Sequence, residues 1–287
     1  MMSKFQRAVD IYRNHGIELL LRRSTTFSKK QFTKIDAYQA LAQYRHGAAD
    51  LMKVGFPKSG NTWVHFLMAN TVVRAAGRSD DVHFRNLKKW VGGSEAPPST
   101  PPVDGFPTMI GHHHERHAAT YLNDDTEVVY IVRHPGDVME SFYDWRQNRW
   151  VDLNPGTFSE FIRSENGVKA WVRHVKSWQD RWDVLIQFED LKDDPGSQLR
   201  KIWDAAEKDI DESTIQYAVE QSSFSTMQRM EEKHGRDRKA GGNPDYSFMR
   251  KGESDAGEAY FDDDDRRYLR NAAGDVMEML GYSVDIG

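Results

Sequence analysis

The sequence predicts an α/β fold, a single domain with a central parallel sheet flanked by helices and preceded by a helical extension. Three observations carry this expectation. From Leu51 onward, short apolar runs alternate with longer helical patterns, as βαβ crossovers and a sheet covered on both faces require. A glycine-bounded loop follows the first apolar run and opens directly into a helical pattern. The length, 287 residues, suits one core of this kind. The division expected is 1–50 for the extension and 51–287 for the domain.

Each element has its own signal. In the extension, Phe5, Val9, Tyr12, Ile17, Leu20 and Leu21 recur at roughly helical spacing, with Lys4, Arg7, Arg13, Arg22 and Arg23 between them. This pattern fits either a helix packed on the domain edge or a basic interfacial helix touching anionic lipid or a partner. Strand signals follow at Leu51–Phe56, Thr108–Gly111, Val128–Val132 and Val184–Gln187. Helical patterns cover Thr62–Ala76, Gly136–Asn148, Phe158–Arg163, Val168–Arg181, Ser197–Ala206, Asp211–Gln221 and Asp263–Leu280. Glu95–Pro107 is proline-rich and reads as a surface loop, while Glu231–Ser247 has almost nothing to bury and reads as mobile. The acidic run Asp262–Asp265 precedes a helical pattern, where negative charge complements the dipole. Its expected role is structural.

Composition narrows the function. A net charge of −5 argues against bulk nucleic-acid binding, which needs a basic footprint. No run approaches the roughly 18 apolar residues of a membrane helix, and the N-terminus lacks the pattern of a signal peptide. The absence of cysteine excludes disulfides, thiolate nucleophiles and cysteine metal sites. A cytoplasmic enzyme is the expectation.

The loop after the first strand is the richest segment. Val54-Gly55-Phe56-Pro57-Lys58-Ser59-Gly60-Asn61-Thr62-Trp63 runs from strand to helix, so backbone N–H groups and a helix N-terminus converge and make an anion site. Lys58 adds a positive charge and Thr62 a hydroxyl donor. Gly55 and Gly60 have the spacing of the P-loop pattern, but Asn61 stands where its lysine belongs, and Lys58 lies two positions before the second glycine. A second anion element is Arg133, at the end of the buried run Val128-Val129-Tyr130-Ile131-Val132, with Ser141 following in the next helical pattern. Taken alone, Arg133 could equally pair with Asp137 or Glu140. A third is Arg250-Lys251-Gly252, where a guanidinium can grip two phosphate oxygens.

These motifs resemble those of the PAPS-dependent, cytosolic-type sulfotransferases. The Lys58 loop is similar to the family's 5′-phosphosulfate loop (P-K-S-G-x-T-W). Arg133 and Ser141 keep the spacing of its 3′-phosphate signature, with His134 replacing an asparagine. Arg250, Lys251 and Gly252 match the start of its C-terminal R-K-G segment, and the match stops after Gly252. Gly156-Thr157-Phe158, the stretch Trp171–Trp178, Gln187–Leu191 and Ser222–Met227 echo further family stretches. The resemblance spans about Met52 to Phe261.

What the resemblance implies is a nucleotide-binding transferase of the P-loop-like class. It would move a sulfuryl group from 3′-phosphoadenosine 5′-phosphosulfate (PAPS) to a hydroxyl or amine, with no metal. Lys58 would stabilise charge on the leaving 5′-phosphate, and Thr62 with the backbone of Ser59, Gly60 and Asn61 would hold that phosphate. Trp63, Phe188 and Phe224 would enclose the adenine, with Ser222 contacting it. The acceptor's base would be a histidine near the exit of the Thr108 strand: alignment of Met109 and Ile110 indicates His113, counting back from Val128 indicates His112, and His114 is the third candidate. The family's lysine before that histidine falls on Gly111. A metal site on His113 and His117 lacks a third ligand of sound spacing. The acceptor could be a small molecule, a sugar or a lipid-like compound. Peripheral membrane contact through residues 1–30 and the oligomeric state stay open, and the family's dimer motif would fall near Glu258–Arg267, where Asp262 and Asp263 replace T-V. The competing readings are a P-loop nucleotide kinase or NTPase, which needs Mg²⁺ and a lysine beside Thr62, and a catalytically dead nucleotide-binding module.

Overall fold

A computed structural model describes residues 49–92, 103–113, 124–149, 156–235 and 260–284, without the side chains of 112, 113 and 149. The expected extension, apart from its last two residues, lies outside the described residues. Four strands, β1 (Leu51–Gly55), β2 (Met109–His113), β3 (Glu127–Val132) and β4 (Val184–Gln187), form one parallel sheet in the order β2-β1-β3-β4. All four expected strands are present. Four boundaries move: β1 stops at Gly55, β2 starts at Met109 and runs on through His112 to His113 rather than ending at Gly111, and β3 starts one residue early at Glu127.

Among the described residues the helices are α1 (Asn61–Ala75), α2 (Leu87–Val91), α3 (Pro135–Arg149), α4 (Phe158–Arg163), α5 (Val168–Trp178), α6 (Phe188–Asp193), α7 (Pro195–Ala205), α8 (Glu212–Gln221), α9 (Phe224–His234) and α10 (Asp263–Met279). Seven correspond to the expected helical patterns, with ends shifted by up to three residues, and α2, α6 and α9 were not expected. The last four residues of α9, Glu231–His234, fall in the stretch read from sequence as mobile. Side-chain caps fix several starts. The Asp194 carboxylate accepts from Ser197 N at 3.0 Å, with Pro195 at the first helical position. Thr157 and Glu160 form a reciprocal capping box, so the Gly156-Thr157-Phe158 echo is a helix start. The acidic run is structural, as expected. Asp262 caps α10 by accepting from Asp265 N at 2.8 Å, and buried Asp265 accepts from Ser159 Oγ at 2.8 Å and pairs with Arg163.

Strand alternation sorts the core into two layers. Met52, Val54, Val128, Tyr130 and Val132 pack beneath α3, α4, α5 and α10. Leu51, Val129, Ile131, Val184 and Ile186 pack beneath α1, α2, α7 and α8. Burial of each such side chain stabilises the fold by about 1.5–3 kcal/mol. Both faces are covered, so every strand reads as continuous apolar sequence. In β1 the run is broken by Lys53, which is fully buried.

Candidate active site

Parallel strands deliver their C-terminal ends to one edge, where ligands of such sheets bind. Gly55 lies beside Ile131, and Val132 beside Gln187, so the segments after β1, β3 and β4 emerge side by side. Val54 lies beside His113 on the other flank, after a slip in pairing between Met52 and Val54.

The loop after β1 turns through two left-handed residues, Lys58 (φ 72°) and Gly60 (φ 95°). Such alternation gathers successive N–H groups around one concavity, and the first turn of α1 adds donors that no carbonyl of the helix can take. Gly60 is required twice over: its φ is strained for any other residue, and a Cβ there would lie 2.6 Å from Phe188 Cδ2. Ser59 is fully buried, and its Oγ has no hydrogen-bond partner among the described residues. Thr62 and Lys58 are half-buried.

Asn61 was expected to offer the phosphate only its backbone. Its side chain turns inward, where Nδ2 donates to the carbonyls of Phe56 (2.8 Å) and Gly55 (3.4 Å). Its Oδ1 accepts from Lys53 Nζ at 2.7 Å. Only the Asn61 backbone remains to serve a phosphate. A Cβ at Gly55 would sit 2.7 Å from Asn61 Oδ1 and 2.5 Å from Ile131 Cγ2, so that glycine makes room for the staple.

The second cation stands one strand away. Arg133 Nη2 donates to Asp137 at 3.1 Å, so the pairing left open in the sequence does occur. Its guanidinium carbon also lies 4.4 Å from the centroid of Phe188, a cation–π contact. Phe188 in turn meets Trp63 edge to face at 5.9 Å. One ring therefore touches both the β1 loop and the β3 arginine. Glu189, the next residue, accepts from His134 N at 3.0 Å and from the Tyr282 hydroxyl at 2.8 Å. This ties the Arg133 turn to the C-terminal segment. Burial lowers the pKa of His134 and raises that of Tyr282. Ser141 is half-buried in the second turn of α3, not its first, one turn beyond Asp137.

Comparison with known proteins accounts for this arrangement. The sulfotransferase domain profile matches residues 48–281. The chain belongs to the sulfotransferase domain family. Among its relatives are the Sulfotransferase 1C2 of Rattus norvegicus, 27% identical over 216 residues (69% of this chain, 72% of the relative), and that of Homo sapiens, 26% identical over 212 residues (67% and 70%). Sulfotransferase 1 family member D1 of Rattus norvegicus is 25% identical over 243 residues (79% and 76%). Among solved structures, mouse sulfotransferase SULT7A1 complexed with PAP superposes with a TM-score of 0.61 at 19% identity, covering 83% of this chain and 87% of the other. Retinol dehydratase complexed with retinol and PAP superposes with a TM-score of 0.62 at 16% identity, covering 83% and 84%. These likenesses establish the fold.

The remaining residues of this sulfotransferase divide by position. His112 and His113 are the last two residues of β2, on the strand adjacent to the phosphate-type loop. Gly111, where the family has a lysine, is packed too tightly for a side chain. A Cβ there would lie 2.5 Å from both His65 Nε2 and the Val91 carbonyl. Ser222 is fully buried at the end of α8, its Oγ accepting from Asn70 Nδ2 at 3.0 Å. Phe224 opens α9, half-buried, and makes no ring contact among the described residues. Arg250, Lys251, Gly252, His114 and His117 lie outside the described residues. Among the described residues, no group of three or more His, Cys, Asp or Glu is placed to hold a metal ion, and no helix is long and apolar enough to cross a membrane.

Sequence reading missed Lys53, Glu189 and Tyr282. Only Lys53 left a signal, a lone charge inside an apolar strand.

Proposed function

We infer that the Phe56–Thr62 loop and Arg133 hold the two phosphate ends of PAPS, and that this sulfotransferase passes the sulfuryl group to a small acceptor. The carrying observation is Phe188, whose ring contacts Trp63 and Arg133 and closes against Gly60. An adenosine lying along that ring has an anion-binding loop at one end and a guanidinium at the other. Base–aromatic contacts contribute about 1–3 kcal/mol each. The residues fit the donor in a second respect: the Ser59 hydroxyl and the Trp63 indole N–H are buried without hydrogen-bond partners among the described residues, and bound phosphate or nucleotide oxygens would satisfy them.

The donor supplies an activated sulfuryl group, and the protein supplies position and charge. Lys58 stabilises negative charge as it builds on the leaving phosphate. Ser59, Thr62 and the Gly60–Asn61 backbone hold that phosphate. Arg133, with Ser141 and the Arg250-Lys251-Gly252 segment, holds the 3′-phosphate. Ser222 and Phe224 flank the base. His113, or His112 in its place, takes the acceptor's proton, since imidazole titrates near neutrality. The retinol bound with PAP in the retinol dehydratase structure supports a small-molecule acceptor bearing a hydroxyl. Phenol, sugar and lipid-like compounds are the classes to screen, with a cytoplasmic setting for the reaction.

Calorimetric titration tests the reading. Adenosine 3′,5′-bisphosphate (PAP) is expected to bind and ATP–Mg²⁺ to fail. Binding of ATP–Mg²⁺ alone would restore the NTPase alternative. An acceptor panel with labelled donor, and His113→Ala as the blank, then identifies substrate class and base together.

A further inference from the structure

We propose that Lys53 is a positioning residue for sulfuryl transfer: its amine holds the Asn61 side chain, and Asn61 holds the carbonyls from which the phosphate loop springs. The inference rests on the reading of that loop as the 5′-phosphate site.

Lys53 is the only charged residue of β1 and is fully buried. Its register partner is Val129, and it lies on the sheet face beneath α1. The cost of burying an amine is several kcal/mol unless hydrogen bonds offset it. Leu51, Met52 and Val54 show what the strand otherwise demands, and a methionine at 53 would satisfy it without that penalty. The Lys53 amine instead lies 2.7 Å from Asn61 Oδ1 and 3.3 Å from the Asn61 carbonyl. Asn61 Nδ2 then grips Phe56 O and Gly55 O, so a chain of bonds runs from the strand through the first helical residue to both roots of the loop. That chain clamps six residues, including the two left-handed ones, into a single shape.

Burial also drives the Lys53 pKa well below the ordinary lysine value.

The experiment is a double-mutant cycle on PAP affinity with Lys53→Met, Asn61→Ala and the double variant, melts of the ligand-free proteins, and steady-state kinetics. If the two residues act as one unit, each single substitution weakens PAP binding roughly tenfold and the double variant by little more. KM for PAPS should rise in parallel, with a smaller change in kcat. Amide exchange at residues 56–62 should quicken in the ligand-free Lys53→Met protein. Lower melting with unchanged PAP affinity in Lys53→Met would make Lys53 a fold residue only and overturn the proposal, leaving the loop assignment standing. A hundredfold loss in the double variant, the product of independent effects, would also overturn it. Should Lys53→Met fail to fold, Asn61→Ala decides alone: wild-type PAP affinity in that variant refutes the clamp. A wild-type protein that does not bind PAP removes the loop assignment and this inference together.

Discussion

Lys58 combines the charge expected to act in transfer with a backbone that its residue type disfavours. Its φ of 72° is left-handed, which costs a non-glycine residue about 1–2 kcal/mol. Replacing it by alanine removes the ammonium and keeps the strain; replacing it by glycine removes both. Glycine's greater freedom in the unfolded chain returns roughly 0.4–1 kcal/mol of that gain. The glycine variant should therefore be more stable than the alanine variant by about 1 kcal/mol, or about 2 °C in melting temperature for a chain of this size. Both should lose turnover by a similar, much larger factor, while PAP affinity falls only modestly, because the Lys58 contact strengthens in the transition state. Denaturant unfolding, differential scanning calorimetry and single-turnover transfer read the three quantities separately. Identical melting of the two variants would show the backbone at 58 to be unstrained. Turnover retained in either would remove Lys58 from the chemistry.

Other perturbations probe the rest of the site. Arg133→Ala should weaken PAP binding by one to two orders of magnitude, since it deletes both the 3′-phosphate partner and the cation over Phe188, with turnover of bound donor little changed; unaltered affinity in a titration contradicts the clamp. Gly111→Ala should destabilise the fold by more than about 2 kcal/mol, because the added methyl meets His65 and the Val91 carbonyl; wild-type unfolding would show that contact to be loose. His83 stacks on His234 at 4.2 Å, and burial followed by the neighbouring His234 lowers its pKa, with Asp81, Arg85 and Lys233 also facing it. The folded protein thus binds fewer protons there than the unfolded chain, so this stability is complete above about pH 6.5 and declines as pH falls through the lowered folded value. Melting curves from pH 7.5 to 5 should slope less in His83→Gln, and an equal slope would exclude the pair as a titrating element.

The sheet was legible because all four strands are covered on both faces and so announce themselves as apolar runs. The unexpected helices are short or were masked by other signals. Leu87–Val91 has five residues, too few for a helical period to register, and Phe188–Asp193 was masked by the reading of Gln187–Leu191 as an echo. Phe224–His234 carried a readable start in Ser223, whose hydroxyl caps it, but the residues ahead of it drew attention as a nucleotide echo. The phosphate loop was visible as a motif because its glycines and lysine are local in sequence. The inward turn of the Asn61 side chain was not legible for a tertiary reason. Whether its amide faces the ligand or the strand depends on Lys53, eight residues back and brought near only by the turn. Glu189 and Tyr282 meet across 93 residues, and nothing local marks either.

The slip in pairing between Met52 and Val54 falls on the seam between β1 and β2, the strand that ends in the two candidate bases. The other seams, β1 to β3 and β3 to β4, run in unbroken register. Pairing is therefore continuous among the strands proposed to hold the nucleotide, and irregular beside the strand proposed to carry the base. Mutations that reshape the outer strand and its neighbours should trade one clientele for another while the grip on the sulfate carrier stays as it was.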